Sequence, residues 1–151
     1  MPDHGKLTPW RFIVFEGDAR TKASTIIGEV FRTNRPDATP DQVAVESTRL
    51  ARAPLVIAVV SRAAPHVKIP EWEQTLSAGA AAMNLVIAAH AMGFAASWIT
   101  EWYAYDRGVL DALGLGAQEK LAGFVHIGRP AQPPQDRPRP PLAAIVTRYE
   151  S

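Results

Sequence analysis

The sequence predicts an α+β or α/β sandwich in which a mixed sheet packs around one long central helix. Its 151 residues suffice for one domain, and 47% hydrophobic against 21% charged residues is typical of a globular chain. Strand-like and helix-like segments alternate along the chain. No residue between Gln74 and Thr100 carries a full charge, and the Ala-rich composition indicates a buried helix rather than a membrane span.

The composition also narrows the class of function. A net charge of +1, with scattered lysines and arginines, excludes the massed basic surface of a nucleic-acid-binding protein. The chain has no cysteine, which excludes disulfides, thiolate metal sites and a cysteine nucleophile. This lack of cysteine fits a cytoplasmic location, which is the expectation, and the first residues lack the apolar segment of a signal peptide.

Eight regular elements are predicted from periodicity and from turn signals. The run Ala53–Ser61 is β-branched for most of its length and predicts a strand buried on both faces. The longest helix is apolar around its whole circumference, which predicts packing on more than one side. In chain order the elements are a strand at Arg11–Glu16, a helix capped by Asp18 and running to about Phe31, a helix at Asp41–Arg52 with Pro40 in its first turn, a strand at Ala53–Ser61, the long helix at about Glu71–Met92, a strand at Phe94–Thr100, a short helix with Asp106 in its first turn and a strand at Leu121–Ile127.

Residues 131–151 form a predicted proline-rich arm and C-terminal strand at the end of a single domain spanning residues 1–151. The segment "AQPPQDRPRPP" has five prolines in eleven residues and predicts an extended, solvent-facing arm. The apolar tail "LAAIVTRYE" that follows has no further segment of the chain to pair with. It either folds back on its own domain or completes the sheet of a partner.

Candidates for metal, phosphate and acyl-transfer chemistry find little support. None of the four histidines forms an i, i+4 pair with a second ligand. On its apolar helix face, His90 is expected to be a core histidine bonded to a carbonyl, and His126 is expected to point away from its sheet. "GLGAQEK" lacks the spacing of a phosphate loop and predicts a helix C-cap, and no GxSxG elbow occurs.

The opening segment "MPDHGKLTPWRF" differs from these candidates because it gathers several functional side chains. His4 and Lys6 supply two hydrogen-bond donors, and Gly5 allows close approach of the backbone. The Pro9–Trp10 pair stiffens the entry to the first strand. Such a loop suits an anionic or polar ring system lying over it, and the alternative is an ordinary surface turn.

Several segments together resemble the FMN-dependent nitroreductase family, especially its small YdjA-like branch. They occur in family order: "PDHGKLTPWRFIVFEG", "KIPEWEQTLSAGAAAMNLVIAAHAMGF", "SWIT" and "KLAGFVHIGRP", followed by "RPRPPL". The resemblance covers the chain from Pro2 onward. It implies an α+β nitroreductase-like sandwich with a long buried central helix, and a homodimer that holds FMN at its interface. It also implies a ping-pong cycle in which NADH or NADPH is the reductant and a nitroaromatic or quinone-like compound is the acceptor.

The same resemblance assigns candidate residues but no catalytic side chain, because the flavin carries the chemistry. Ile99 stands where the family often has an arginine, so one polar flavin contact is expected to be missing. Arg139 is the best match for the basic residue that reaches the FMN phosphate, with Arg137 as its rival. The candidate cofactor-binding residues are His4, Lys6, Ser97, Trp98, Ile99, Arg137 and Arg139. The candidate nicotinamide or substrate side consists of Ile87, Ala88, Ala89, His90, Ala91 and Met92.

The sequence departs from the family pattern at its start. Family members carry a helix and an "RRS"-like motif ahead of the opening loop, and here Met1 stands within that loop's motif. Losing two charge-assisted contacts of roughly 1.5–3 kcal/mol each implies FMN binding weaker by about two to four orders of magnitude. A start codon assigned too late, a truncation and a short paralogue all fit. The motifs that remain predict a flavin oxidoreductase. The missing N-terminal motif leaves an alternative, which is a non-catalytic protein that sequesters flavin or binds a partner.

Overall fold

The computed structural model describes residues 3, 5–132 and 135–149 and has an α+β fold. The elements are β1 (Trp10–Glu16), α1 (Asp18–Asn34), α2 (Pro40–Glu46), β2 (Leu55–Ser61), α3 (Glu71–Ala91), β3 (Ala95–Ile99), α4 (Arg107–Ala112) and β4 (Lys120–Gly128), with single 3-10 turns at Trp102–Ala104 and Leu142–Ala144. The eight predicted helices and strands are therefore confirmed, with shifted ends.

Strands β1–β4 form one sheet in the order β1-β2-β4-β3, and all three pairings are antiparallel. The prediction of a mixed sheet is therefore wrong for the described chain. The connection between β1 and β2 explains this. Glu16, at the end of β1, lies opposite Leu55, at the start of β2. The chain therefore leaves β1 and enters β2 at the same end of the sheet, with α1 and α2 between the two strands. Such a return produces antiparallel neighbours.

The two faces of the sheet bury different residues because side chains alternate along each strand. One face packs on α1 and α4 around Ile27, Val56 and Phe124, which are completely buried. The other face packs on α3 around Val59 and Val125.

The helices α1 and α2 begin and end differently from the prediction. Gly17, with φ 52°, is the N-cap of α1, and Asp18 is its first helical residue rather than a side-chain cap. Helix α2 starts with a capping box between Thr39 and Gln42, but it ends at Glu46 instead of Arg52. Residues 47–52 form turns, because short hydroxyl side chains there bond to nearby backbone carbonyls and compete with the helix.

Helix α3 is buried on one side only in the single chain, so the prediction of packing on more than one side is wrong within one chain. Its inner face consists mainly of alanines, which let the helix approach the sheet closely. Leu85 and Val86 also pack towards the sheet, whereas the other large apolar side chains project away from it. They form an apolar ridge of Trp72, Leu76, Met83 and Ile87, which are 69%, 53%, 49% and 54% exposed.

Both histidine predictions are wrong. His126 is buried in β4, where its Nε2 lies 3.3 Å from the carbonyl oxygen of Arg49, and burial lowers its pKa. His90 is exposed, and its Nε2 accepts a hydrogen bond of 3.2 Å from the backbone N–H of Ala96. This bond attaches the end of α3 to the start of β3.

The C-terminal segment is exposed and is not a strand in the single chain. Residues 135–141 have no regular secondary structure, and residues 142–149 hold one 3-10 turn and no strand. The prediction of a helix C-cap at "GLGAQEK" is confirmed, since Gly114 follows α4 with φ 83°.

In the described part of the chain, every helix is too short or too polar to traverse a bilayer.

Candidate functional site

A β-bulge at the start of β4 places a polar backbone group where a side chain can reach it. Val59 pairs with Gly123 and Val60 with Leu121, so Ala122 has no partner in β2. A bulge of this kind interrupts the ladder and releases backbone groups from it. The carbonyl of Ala122 accepts a hydrogen bond of 3.0 Å from the indole Nε1–H of Trp98.

Trp98 lies across this bulge because Gly123 has no side chain. A Cβ on Gly123 would stand 2.0 Å from Nε1 of Trp98, and the φ of Gly123 is 154°. At its other edge the indole approaches α3, where a Cβ on Gly79 would lie 3.9 Å from Cη2. Trp98 remains 41% exposed, so it presents a flat aromatic surface beside α3.

A polar cleft of about 570 Å³ opens next to the bulge. It lies between the end of β2, the first turns of α3 and the start of β4. Its wall includes Ala122 together with residues that carry hydroxyl, carboxylate, amide and ammonium groups. The polar side chains are those of Ser61, Glu71, Thr75, Gln118 and Lys120.

One wall of the cleft is the loop 62–70, which Gln74 holds in place. Gln74 is 3% exposed, and its Nε2 donates to the carbonyls of Ala64 at 2.8 Å and Ile69 at 3.0 Å. Its Oε1 accepts from the backbone N–H of Ala64 at 3.1 Å. One buried amide therefore binds both ends of the loop to α3.

The opening loop packs on the loop 62–70. Gly5 has φ 65°, and a Cβ there would lie 2.1 Å from Cδ1 of Ile69, so a larger residue would be strained and would displace the Ile69 side chain. The backbone N–H of Arg62 donates to the carbonyl of Pro9 at 2.8 Å. Lys6 is exposed on this loop with φ 62°, and His4 lies outside the described residues.

An ion pair joins the start of β1 to the turn before β4, close to the cleft. The Nε of Arg11 lies 2.7 Å from Oε1 of Glu119, and its Nη2 lies 2.6 Å from Oε2. This fork, the backbone N–H of Gly116 and the charge of Arg62 lower the pKa of Glu119 to about 2. Glu119 is therefore ionised at neutral pH and serves as a structural anion.

Sequence comparison identifies the family of this fold. The family model described as the Nitroreductase family matches residues 1–129. YdjA of Escherichia coli K12, a protein named as an NAD(P)H nitroreductase, is 37% identical over 131 residues, which are 85% of this chain and 69% of YdjA. The chain belongs to the nitroreductase family.

Solved structures agree with this nitroreductase assignment. A nitroreductase-like protein from Bacillus cereus superposes with a TM-score of 0.81 at 22% identity, over 99% of this chain and 78% of the other. A nitroreductase-family structure from Desulfovibrio desulfuricans, titled as a complex with FMN, superposes with a TM-score of 0.72 at 26% identity. It covers 99% of this chain and 77% of the other.

In this nitroreductase chain the residues of the "SWIT" motif lie on two faces of the sheet. Trp98 faces α3, whereas its neighbours Ser97 and Ile99 face the opposite side by alternation. Ser97 pairs with His126 across the ladder. Only Trp98 of the three therefore lies over the bulge.

The remaining predicted residues do not form one site. They lie in an apolar groove, on the apolar ridge, at the start of β3 and on the C-terminal arm. Ala88, Ala89 and Met92 line an apolar groove of about 720 Å³ against β2 and β4, whereas Ile87 belongs to the apolar ridge. His90 bonds to β3, and Ala91 is exposed. Arg137 and Arg139 lie on the exposed arm, where Arg139 pairs with Asp136 at 2.7 Å.

Sequence analysis missed the groups that build the site. A glycine inside a strand pattern often marks a bulge, so Gly123 carried a signal that was available. No signal in the sequence indicates the role of Gln74, because a single polar residue in a helix does not reveal which loop it binds. Among the described residues, no group of three or more His, Asp or Glu side chains is placed to hold a metal ion.

Proposed function

We propose that this chain is an FMN-dependent NAD(P)H oxidoreductase that acts on nitroaromatic or quinone-like acceptors by a ping-pong mechanism. The observation that carries the proposal is the exposed indole face of Trp98, held over the bulge next to a polar cleft. Membership of the nitroreductase family supports the reaction class. The FMN complex named for the Desulfovibrio relative supports the cofactor, and the name of YdjA supports the reductant.

The residues present fit a flat, polar-edged ring system. Trp98 offers it an aromatic surface, and Lys120 on the wall of the cleft offers a cationic donor, with Lys6 of the opening loop as a further proposed contact. When bound, FMN supplies hydride uptake from NAD(P)H and electron delivery to the acceptor. The protein's task is then to orient the ring and to exclude water, with His4, Ser97, Ile99 and the arm arginines as further proposed contacts.

A homodimer is part of the same proposal. The apolar ridge of α3 leaves four large side chains exposed on one face, which is typical of a surface that a partner covers. The tail exposes Leu142, Ile145, Val146 and Tyr149, and we propose that it packs on the partner. We also propose the cytoplasm as the location, which the absence of cysteine fits.

The first experiment is a visible absorption spectrum of the purified chain after incubation with FMN and desalting. A flavin band near one equivalent per chain supports the proposal, and a colourless protein contradicts it for this chain. If flavin is retained, NADPH oxidation is then followed with p-nitrobenzoate and with menadione. Retention without turnover would favour the alternative of a non-catalytic, flavin-sequestering protein.

A further inference from the structure

A buried carboxylate lies at the end of α2 and binds two different parts of the chain. Glu46 is 7% exposed, although it is charged. Its Oε2 accepts from Nε of Arg49 at 2.8 Å and from the indole Nε1–H of Trp102 at 2.8 Å. Its Oε1 contacts Nη2 of Arg49. The carboxylate thus connects α2 to the turn that follows β3.

The guanidinium of Arg49 continues this connection on its other side. Its Nη1 lies 2.6 Å from Oε2 of Glu101, so one planar fork joins two carboxylates. Arg52 adds a longer contact of 3.6 Å to the same Glu101. We call Glu46, Arg49, Glu101 and Trp102 the Arg49 cluster.

The charges of the Arg49 cluster are fixed at neutral pH. Burial acts to raise the pKa of Glu46, but the hydrogen bonds from Arg49 and Trp102 outweigh it and the net pKa lies below the usual range. The bond to Glu46 raises the pKa of Arg49. Buried ion pairs contribute little net stability because desolvation opposes their attraction, so the effect of this cluster is expected in the placement of the chain.

The cluster connects a well-fixed turn to a strand end that has few other restraints. The turn 47–52 is held to α1 by the bond from the Leu50 N–H to Oγ of Ser24, at 3.0 Å, and to β4 by His126. Strand β3 is at the edge of the sheet and pairs with β4 alone. Glu101 follows β3 after one intervening residue, so the cluster fixes the chain just beyond the end of the strand.

We propose that Arg49 is a positioning residue, whose two-sided ion pair fixes the end of β3 so that the Trp98 ring stays on the bulge. Arg49 itself is 49 residues away from Trp98 in sequence, and its side chain contacts Glu46 and Glu101. The effect of Arg49 on flavin binding rests on the proposed function. The effect of Arg49 on the position of Trp98 does not rest on it and can be measured without flavin.

The variant Arg49→Lys retains the charge but lacks the fork, so a lysine is able to contact only one carboxylate well. In ¹⁵N-labelled protein the four tryptophans give four indole N–H resonances, which Trp→Phe variants assign. We expect R49K to shift the resonances of Trp98 and Trp102 and to leave that of the exposed Trp72 unchanged. An unmoved Trp98 resonance would overturn the proposal.

The matched control is Arg107→Lys. Arg107 also pairs with a carboxylate, its Nε lying 2.7 Å from Oδ1 of Asp111, and its Nη atoms donate to the carbonyls of Glu119 and Leu115. R107K is expected to lower the thermal midpoint without moving Trp98. If R49K does not fold, Glu46→Gln replaces it, since glutamine keeps the shape and places an amide N–H₂ where Arg49 needs an acceptor. An equal shift of Trp98 in R107K would show a general loosening and would also overturn the proposal.

The functional arm measures the FMN dissociation constant by flavin fluorescence. We expect R49K to weaken FMN binding about tenfold and R107K to leave it unchanged. An unchanged constant in R49K, with FMN bound by the unmodified chain, refutes the positioning role in cofactor binding. If the unmodified chain binds no FMN, the proposed function fails, and the Trp98 resonance still decides the structural part.

Discussion

The substitution Gly123→Ala tests the bulge on which the candidate site depends. The added Cβ would lie 2.0 Å from Nε1 and 2.5 Å from Cδ1 of Trp98, far inside van der Waals contact. The clash falls on the ring atoms of a half-buried indole, so the ring has to leave its place. Its hydrogen bond to the carbonyl of Ala122 is then lost. We therefore expect both a loss of stability and a displaced Trp98.

Three contributions set the expected loss of stability in Gly123→Ala. A φ of 154° is unfavourable for alanine and costs ~1–3 kcal/mol. The lost hydrogen bond adds ~1 kcal/mol. Trp98 is 41% exposed, so partial loss of its buried aromatic surface adds ~1–2 kcal/mol. Together these contributions are expected to lower the free energy of unfolding of Gly123→Ala by ~3–6 kcal/mol.

The matched control is Gly114→Ala, because Gly114 has φ 83° and nothing within 4 Å of an added Cβ. This variant carries backbone strain without a clash and is expected to cost ~1–3 kcal/mol. Urea denaturation gives both free energies, and tryptophan fluorescence reports the exposure of the indole. Equal losses in the two variants, with Trp98 fluorescence unchanged in Gly123→Ala, would refute the described packing of Trp98 on the bulge.

Three further predictions concern the Arg11–Glu119 ion pair, the loop 62–70 and the apolar ridge of α3. Glu119→Gln is expected to lower the free energy of unfolding at pH 7 by ~1–2 kcal/mol after solvent screening. Because Arg11 helps to depress the pKa of Glu119 to about 2, the unmodified chain should lose this contribution as pH falls from about 5 to 2, and urea titrations of the variant should show a flatter decline. Gln74→Leu should speed tryptic cleavage at Lys68 in the loop 62–70; equal cleavage rates would show that other contacts hold the loop. Met83→Glu, on the exposed ridge of α3, should convert a dimer to a monomer in sedimentation velocity, and an unchanged sedimentation coefficient would contradict a dimer through this face.

Most of the fold could be predicted from the sequence because strands and helices have different hydrophobic periods. The β-branched run of β2 and the long Ala-rich α3 were placed to within two residues. The length of α2 could not be predicted. Its end depends on hydroxyl groups that bond to the backbone, and on Ser24 of α1, which accepts from the N–H of Leu50. Periodicity carries no record of such contacts.

The candidate site was predictable only in part. The motif around Trp98 was found from its resemblance to a family, but the face on which it lies follows from strand register. Register also separates Ser97 from Trp98, although the two are adjacent in sequence. The burial of His126 follows from a turn 77 residues earlier in the chain.

The described residues suggest why no convincing set of acid and base side chains was found in the sequence. The groups closest to the candidate site act on geometry: a freed carbonyl at Ala122, an absent side chain at Gly123, and a buried amide at Gln74 that fixes a loop. The strongly perturbed carboxylate, Glu119, is held ionised by Arg11 and so is unsuited to donate a proton near neutral pH. A protein that orients a redox group needs placement more than proton transfer, so this distribution of roles favours the proposed flavin chemistry over hydrolysis or acyl transfer.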